Sequence, residues 1–332
     1  MSQNTALVIT SISAPNAAMK SFAEGCKKSG IEFIVVGDSK SPKDFTLDGC
    51  RFISIEEQRM LPFKLAKLLP EKHYGRKNLG YLLSKNKSVI IETDDDNLPR
   101  PEFWNKKLDV TQARVVEKQG WVNAYRFFSK EHIWPRGFPL EELQNKNAGI
   151  GEPELKNITG INIIQGLADE NPDVDAVYRM TLPLPFNFEK KEPVVLGKGS
   201  WCPFNSQNTT WKKEAFPLMY LPSYCSFRMT DIWRSFIAQR IAWTCNWNIL
   251  FHSADVWQER NEHSLLRDFA DEVPGYLNNT RMCKSLEDLD LKTGIDNLCE
   301  NLLRCYKLMA DNQWVGSEEL ELVDAWCNEF AG

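Results

Sequence analysis

Residues 89–97 read VIIETDDDN, three apolar β-formers running into three consecutive aspartates. Like charges side by side repel, and a carboxylate taken out of water is costly unless something pairs with it. Residues i and i+2 of a strand point the same way, so at a strand end Asp94 and Asp96 converge while Asp95 points elsewhere. Two converging carboxylates suit a hard divalent cation, Mg²⁺ or Mn²⁺, which takes oxygen ligands and keeps sites for water and phosphate. In a D-x-D nucleotide-sugar site that cation bridges the diphosphate and stabilises the leaving nucleoside diphosphate. A solvated acidic turn is the competing reading, and the tripeptide alone leaves both open.

Other residues gain meaning from this one. His252, just after WNILF, is either a satisfied core or surface histidine or a third metal ligand through a ring nitrogen. HYGRKN, residues 73–78, opens a helix ahead of the aspartate strand. Its Arg76 and Lys77 either hold phosphates near the helix N-terminus or form a solvated basic face. Asp38 follows EFIVVG and is a turn aspartate or an acceptor for a ribose or base. Thr10, at the end of the first apolar run, joins Asp38, Arg76, Lys77, Asp94 and Asp95 in the nucleotide-sugar-binding set. Arg136 sits in WPRGFP between Pro135 and Gly137. It is a clamp for phosphate or carboxylate, or a structural cation packed on Trp134. Asp231, at the head of a helical segment, is an N-cap, a catalytic base or a sugar-hydroxyl acceptor.

The elements that must position these residues alternate. Residues 6–12 and 32–37 read as strands with helical spacing at 16–29 between them, and 51–54 as a weak third strand. Residues 56–85 are helical with a break near Pro70, and 88–92 is a fourth strand. This alternation predicts an α/β fold, a largely parallel sheet with helices on both faces, and ligands bind at the strand ends of such sheets. Further on, 121–128 (WVNAYRFF) reads as a strand, 133–139 as irregular and 146–160 as a polar loop. Residues 181–195, with four prolines, suit an edge or loop. Residues 231–243 have helical spacing, 247–251 form a late strand ending at His252, and 285–309 and 317–329 are helical. The domain reading is 1–275 for nucleotide-sugar and acceptor binding, and 276–332 for a C-terminal helical appendage.

The bulk numbers set limits. A chain of 332 residues with 42% hydrophobic and 26% charged content can bury a sizeable core. A net charge of −5 and the lack of a long Lys/Arg run argue against a nucleic-acid surface. Nine scattered cysteines without a CxxC pair read as reduced thiols. With no membrane span and no signal peptide in the pattern, a cytoplasmic location is expected.

Several segments resemble two related families in colinear order over roughly residues 5–275. These are the STELLO-type glycosyltransferases and the reversibly glycosylated polypeptides, the plant UDP-arabinopyranose mutases. RKNLGYLLSKNKSVIIETDDDN is similar to both. WPRGFPLEE resembles the mutase segment carrying an arginine, and IIQGLADENPDVDAVYRM the segment after it. TDIW at 230–233 resembles a D-D-M-W segment with Thr230 replacing its first aspartate, and FHSAD at 251–255 a late Tyr-His-Ser segment. RNEHSLLRDFADE, 260–272, looks more like STELLO members.

The resemblance implies a GT-A-type fold with a Rossmann-like half, a UDP-sugar or related donor, and Mn²⁺ or Mg²⁺. By the residue match it makes Asp94, Asp95 and Asp96 the D-x-D motif and His252 a further metal ligand. Asp231 matches the D-D-M-W aspartate, and Arg136 the arginine that mutases glycosylate reversibly. The leading expectation is therefore a metal-dependent glycosyltransferase passing sugar to an unidentified acceptor. A mutase that parks sugar on Arg136 is the alternative, as is a non-catalytic nucleotide-sugar-binding protein. A phosphohydrolase with an aspartate nucleophile fits less well, since its motif belongs on the first strand. The C-terminal helices could serve homo-oligomer assembly.

Overall fold

The structure is a computed structural model that describes residues 4–105, 108–144, 153–259 and 264–330. Strand β1 (Thr5–Thr10) is buried almost throughout, as a strand covered on both faces must be. Helix α1 (Ala17–Ser29) starts at Asn16, whose side chain accepts from Met19 N–H, and stops at Gly30 with φ 66°. Then come β2 (Glu32–Val36), β3 (Arg51–Ile53), α2 (Ile55–Met60) and α3 (Lys64–Leu68). Ser54 and Glu57 close a capping box on α2. The helical stretch breaks after Met60 as well as near Pro70, and resumes as a 3₁₀ turn over Tyr74–Arg76 leading into α4 (Lys77–Leu83). β4 (Val89–Thr93) delivers the three aspartates.

The second half adds β5 (Asn97–Pro99), β6 (Gln112–Val116), β7 (Gly120–Trp121), β8 (Glu154–Asn157), β9 (Ile161–Asp169) and α5 (Ala176–Thr181). It continues through β10 (Val194–Leu196), β11 (Ser200–Trp201), β12 (Asn208–Lys212), α6 (Thr230–Thr244) and β13 (Asn248–Gln258). Helices α7 (Leu265–Asp288), α8 (Leu298–Asp311) and α9 (Glu319–Cys327) close the described chain. The main sheet runs β3-β2-β1-β4-β12-β9-β13-β10-β6-β8. From β3 to β13 only β12 is reversed, pairing antiparallel with β4 and β9, while the other pairs there are parallel. The expected mostly parallel central sheet with flanking helices is borne out.

Alternate residues of β1 supply two separate cores. Leu7 and Ile9 pack with Met19, Phe22 and Cys26 of α1 on one face. Val8 packs with Leu79 and Leu82 of α4 and with α6 on the other. That second core continues through Met282 and Leu286 of α7, Leu302 and Cys305 of α8, and Val323 and Trp326 of α9. Helix α7 crosses residue 275 without a break.

Some elements differ from the sequence expectation for identifiable reasons. WVNAYRFF is not one strand. Asn123 accepts from Tyr125 N–H and donates to Ile133 O, which turns the chain into a 3₁₀ segment over Ala124–Phe127 after the short β7. Part of the polar stretch 146–160 pairs as β8 against β6; residues 146–152 lie outside the described ones. The late strand does not stop at His252 but runs to Gln258, because β9 and β5 supply partners for its second half. Helix α7 ends at Asp288, so 285–309 is not one helix.

On the α6 face, Glu92 of β4 is fully buried and meets Arg234 of α6 at 2.9 Å. Trp211 donates to Glu92 at 2.8 Å, Tyr81 donates from α4, and the Arg234 guanidinium lies 5.1 Å from the Trp211 ring. Removing one partner of such a pair leaves a buried charge uncompensated. Arg234→Met is expected to cost about 3–5 kcal/mol in urea-unfolding measurements. Lys28→Met, which breaks the exposed Lys28–Glu24 pair, should leave the unfolding midpoint unchanged.

Candidate functional site

At the C-terminal ends of β1, β2 and β4 the strands open into a cavity of about 420 Å³. From β1 the chain winds outward through β2 to β3 and then returns to place β4 on the other side of β1, which makes β1 the switch point where open α/β sheets take ligands. Thr10, Asp38, Arg76, Asp94, Asp95, Asp96, Arg136 and Asp231 all line this one cavity. Residues spread over more than two hundred positions are thus brought together.

The three aspartates diverge in their partners. Asp94 Oδ1 lies 3.4 Å from Lys77 Nζ, which also donates to Thr93 O at 2.6 Å and Ser206 O at 3.3 Å. Lys77 is itself fully buried, so it acts from beneath the aspartates as a fixed prop. Asp95 accepts from Ser11 Oγ, and its carbonyl accepts from Asn16 Nδ2 at 2.7 Å, tying the turn to β1 and to the cap of α1. Asp96 accepts from Gln258 Nε2 at 3.0 Å. Burial, reinforced by Asp96, Asp231 and Asp95, pushes the Asp94 carboxyl up to about 7 against the pull of Lys77. Burial also raises Asp95.

Arg76 and Lys77 are neighbours in sequence but serve different ends of the cavity. Arg76 turns away from the aspartates: Nε donates to Gln58 Oε1 at 2.6 Å and Nη1 to Leu69 O at 2.9 Å. The charge that acts most on it is Asp38. Expecting both side chains at one phosphate is therefore corrected, because a helix start turns consecutive residues by about 100°. Asp38 accepts from Ser39 N–H at 2.6 Å and His73 N–H at 3.0 Å.

At the other end, Arg136 is held by two carboxylates. Nε and Nη2 reach Asp173 at 2.8 and 2.9 Å, Nη2 also reaches Asp231 at 2.9 Å, and Nη1 donates to Arg228 O. Gly137, at φ 85°, makes the close turn possible: a Cβ there would sit 2.4 Å from Ile232. Asp231 is not the N-cap of α6. It lies inside the first turn, and Met229 occupies the cap. Its carboxylate accepts from Ser206 N–H at 3.1 Å, and its backbone N–H donates to Tyr74 Oη at 3.0 Å. Burial would raise Asp231, but Arg136, aided by Arg234, holds it down at about 2. Burial opposes the charge on Arg136, yet Asp173 and Asp231 keep it firmly protonated.

His252 is not brought to Asp94 and Asp96. Its ring lines a second cleft with Ser253 and Asp255, with Nδ1 2.8 Å from Ser253 O and Nε2 4.0 Å from Asp255. β13 passes His252, shifts register before Val256, and delivers Gln258 to Asp96 instead. Among the described residues, no group of three or more His, Cys, Asp and Glu side chains could hold a metal ion. Ser11, His73, Tyr74, Asp173 and Gln258 line the cavity and were not legible as site residues in the sequence. Only Asp173, within the PDVDA segment, carried a signal that could have found it.

Comparisons with known proteins say what the chain is similar to. The model of the STELLO glycosyltransferases matches residues 228–331. "Probable glycosyltransferase STELLO2" of Arabidopsis thaliana is 27% identical over 327 residues, covering 92% of this chain and 42% of the plant protein. "Probable glycosyltransferase STELLO1" of the same plant is 26% identical, covering 98% and 44%. The chain thus spans less than half the length of either. Glucosyl-3-phosphoglycerate synthase from Mycobacterium tuberculosis, solved with phosphoglyceric acid, is 12% identical with a TM-score of 0.44, over 83% of this chain and 79% of that one. The resemblance to STELLO-type glycosyltransferases read from the sequence is borne out by the family match over residues 228–331 and the two plant relatives.

The arginine clamp sets an acid response. With its pKa depressed, Asp231 contributes stability that is present in full above about pH 4, the unfolded value, and is lost as pH falls toward 2. Arg136→Met reverses the sign, because Asp231 is then buried without its main cation and takes up a proton more readily than in the unfolded chain. The variant should be destabilised at pH 7 by about 3–5 kcal/mol. It should regain stability as pH is lowered from 7 to 5, in urea-unfolding series at each pH.

Proposed function

We propose that the chain is a metal-dependent glycosyltransferase that binds a nucleoside-diphosphate sugar in this cavity and passes the sugar to an acceptor hydroxyl. The observation that carries the reading is one cavity lined by Asp94, Asp95 and Asp96 after β4 together with Asp38 and the Arg136 clamp, with the buried Lys77 held against Asp94. Kinship with the two plant glycosyltransferases supports it.

The donor set fits a hard divalent cation. Asp94 and Asp96 both bring carboxylate oxygens to the cavity, and burial, with the charges of Asp96, Asp231 and Asp95, raises the Asp94 carboxyl against the pull of Lys77. Two protein carboxylates, with remaining positions for water and phosphate, are what Mg²⁺ or Mn²⁺ accepts. When bound, the cation would act as a Lewis acid on the diphosphate and stabilise the departing nucleoside diphosphate.

The chain's own residues do the positioning. Lys77 fixes Asp94 from below, Ser11 holds Asp95 against β1, and Gln258 orients Asp96. Arg136 presents an immobile positive charge toward the sugar end. Fixed charges of this kind favour developing negative charge without reorganising. In this reading Asp231 aligns Arg136 rather than taking a proton, since a carboxylate near pKa 2 is a weak base. Parking sugar on Arg136 is not part of it, because each guanidinium nitrogen already donates a hydrogen bond.

Isothermal titration of nucleoside diphosphates with and without Mn²⁺ tests the reading. Mn²⁺ should tighten binding by at least about tenfold, or ~1.4 kcal/mol. Asp94→Asn combined with Asp96→Asn should erase that gain. Negligible binding under both conditions would sink the proposal.

A further inference from the structure

The start of α8 and the end of α9 bring two cysteines together. Cys299 lies in the first turn of α8, and Cys327 is the last residue of α9. Their contact is reciprocal. Sγ of Cys299 lies 3.8 Å from Cys327 O, and Sγ of Cys327 lies 3.6 Å from Cys299 O. The two thiol groups also hydrogen-bond to each other. Two side chains that each reach the other's carbonyl, and each other, hold their sulfurs side by side.

The two thiols differ in access and in character. Cys299 is half-buried, whereas Cys327 is 5% exposed. The hydrogen bond from Cys327 outweighs burial and holds the Cys299 thiol below its ordinary value, while the Cys327 thiol goes up in return. A helix start favours an anionic sulfur as well. Burial pushes every other cysteine thiol up. The thiolate is the form that attacks a disulfide, so Cys299 is the entry point and Cys327 the resolving partner behind it.

We propose that Cys299 and Cys327 are a dithiol–disulfide couple that a low-molecular-weight disulfide such as glutathione disulfide oxidises, stapling α9 to α8. The Cys299 thiolate attacks one sulfur of the small disulfide, whose S–S bond breaks and releases one small thiolate. Cys327 passes its proton to that thiolate and attacks Cys299 Sγ, and the second small thiolate leaves and takes a proton from water. One S–S bond in the protein replaces two S–H bonds, and the two electrons and two protons end up in two small thiols. The bridge closes a loop over residues 299–327 that contains Glu319, the residue that accepts from Ser223 N–H and Tyr224 N–H. Closing a loop restricts the unfolded chain, so the oxidised form is the more stable one. Neither cysteine is among the residues that line the cavity, and the inference stands apart from the donor-site reading.

Incubation of the full chain with glutathione disulfide, then alkylation and peptide mapping, tests it. The map should return one peptide pair joined through Cys299 and Cys327, with two fewer thiols to alkylate after unfolding, and reduced glutathione should reverse both. Oxidation should raise the melting temperature by roughly 5 °C. Cys327→Ser should stop at a glutathione adduct on Cys299, seen by intact mass, and Cys299→Ser should take up none. The map of the unsubstituted chain decides the matter even where a variant fails to fold. An unchanged thiol count, an adduct on Cys299 that never closes, or a link between the neighbouring Cys26 and Cys50 in its place overturns the couple. A bridge that forms without raising the melting temperature overturns the staple.

Discussion

The buried pair of Glu92 and Arg234 is the joint on which the cavity depends. Glu92 lies two residues before Asp94 on β4, and Arg234 three residues after Asp231 on α6. Their contact, sealed by Trp211 and Tyr81, locks the strand that carries the aspartates to the helix that carries the Arg136 clamp. A charge pair in a dry interior gives little net stability over a well-packed apolar contact, but it tolerates few geometries. Here that intolerance places two half-sites, far apart in sequence, at a fixed separation.

The C-terminal helices take part in the same arrangement. Glu319, at the start of α9, is fully buried and accepts from Ser223 N–H at 2.9 Å, Tyr224 N–H at 2.7 Å and the Tyr220 hydroxyl. It thereby holds the segment that approaches Gly75, where the Ser223 hydroxyl would lie 2.7 Å from an added Cβ. The helices that look like an appendage in sequence thus brace the wall behind His73. Their apolar faces are buried in the same core as α6.

Much of the fold was legible because period and punctuation agreed. VIIET, EFIVV and ALVIT are short continuous apolar runs, and each became a parallel strand covered on both faces. WVNAYRFF misled because side-chain hydrogen bonding by Asn123 overrode its apolar content. Within the site, the aspartates could be placed at the end of β4 because an apolar run ending in acids is a local pattern, although they lie in the turn after Thr93 and all three line the cavity. His252 could not, because the length of β13 and its register shift are set by partners that no local pattern shows. Likewise Arg76 and Lys77 read as one basic dipeptide until the helix start separated them. His73 gave no sign that it would line the cavity, since its place there is set by the 3₁₀ turn over Tyr74–Arg76 and the bond of Gly75 N–H to its ring.

That separation has a further consequence. One peptide bond joins the arginine at the Asp38 end to the lysine under Asp94, so the step between the two ends is measured by helix pitch and not by a loop. A helix start is a stiff gauge. Adding a single residue between positions 76 and 77 would rotate everything on one side of it by about 100°, removing both cations from register in one event. The exposed run over residues 39–50 touches the same cavity but sets no such distance. Length variation can therefore accumulate in that loop while the 76–77 junction stays fixed, and the size of ligand that the cavity accepts is written into a helix turn.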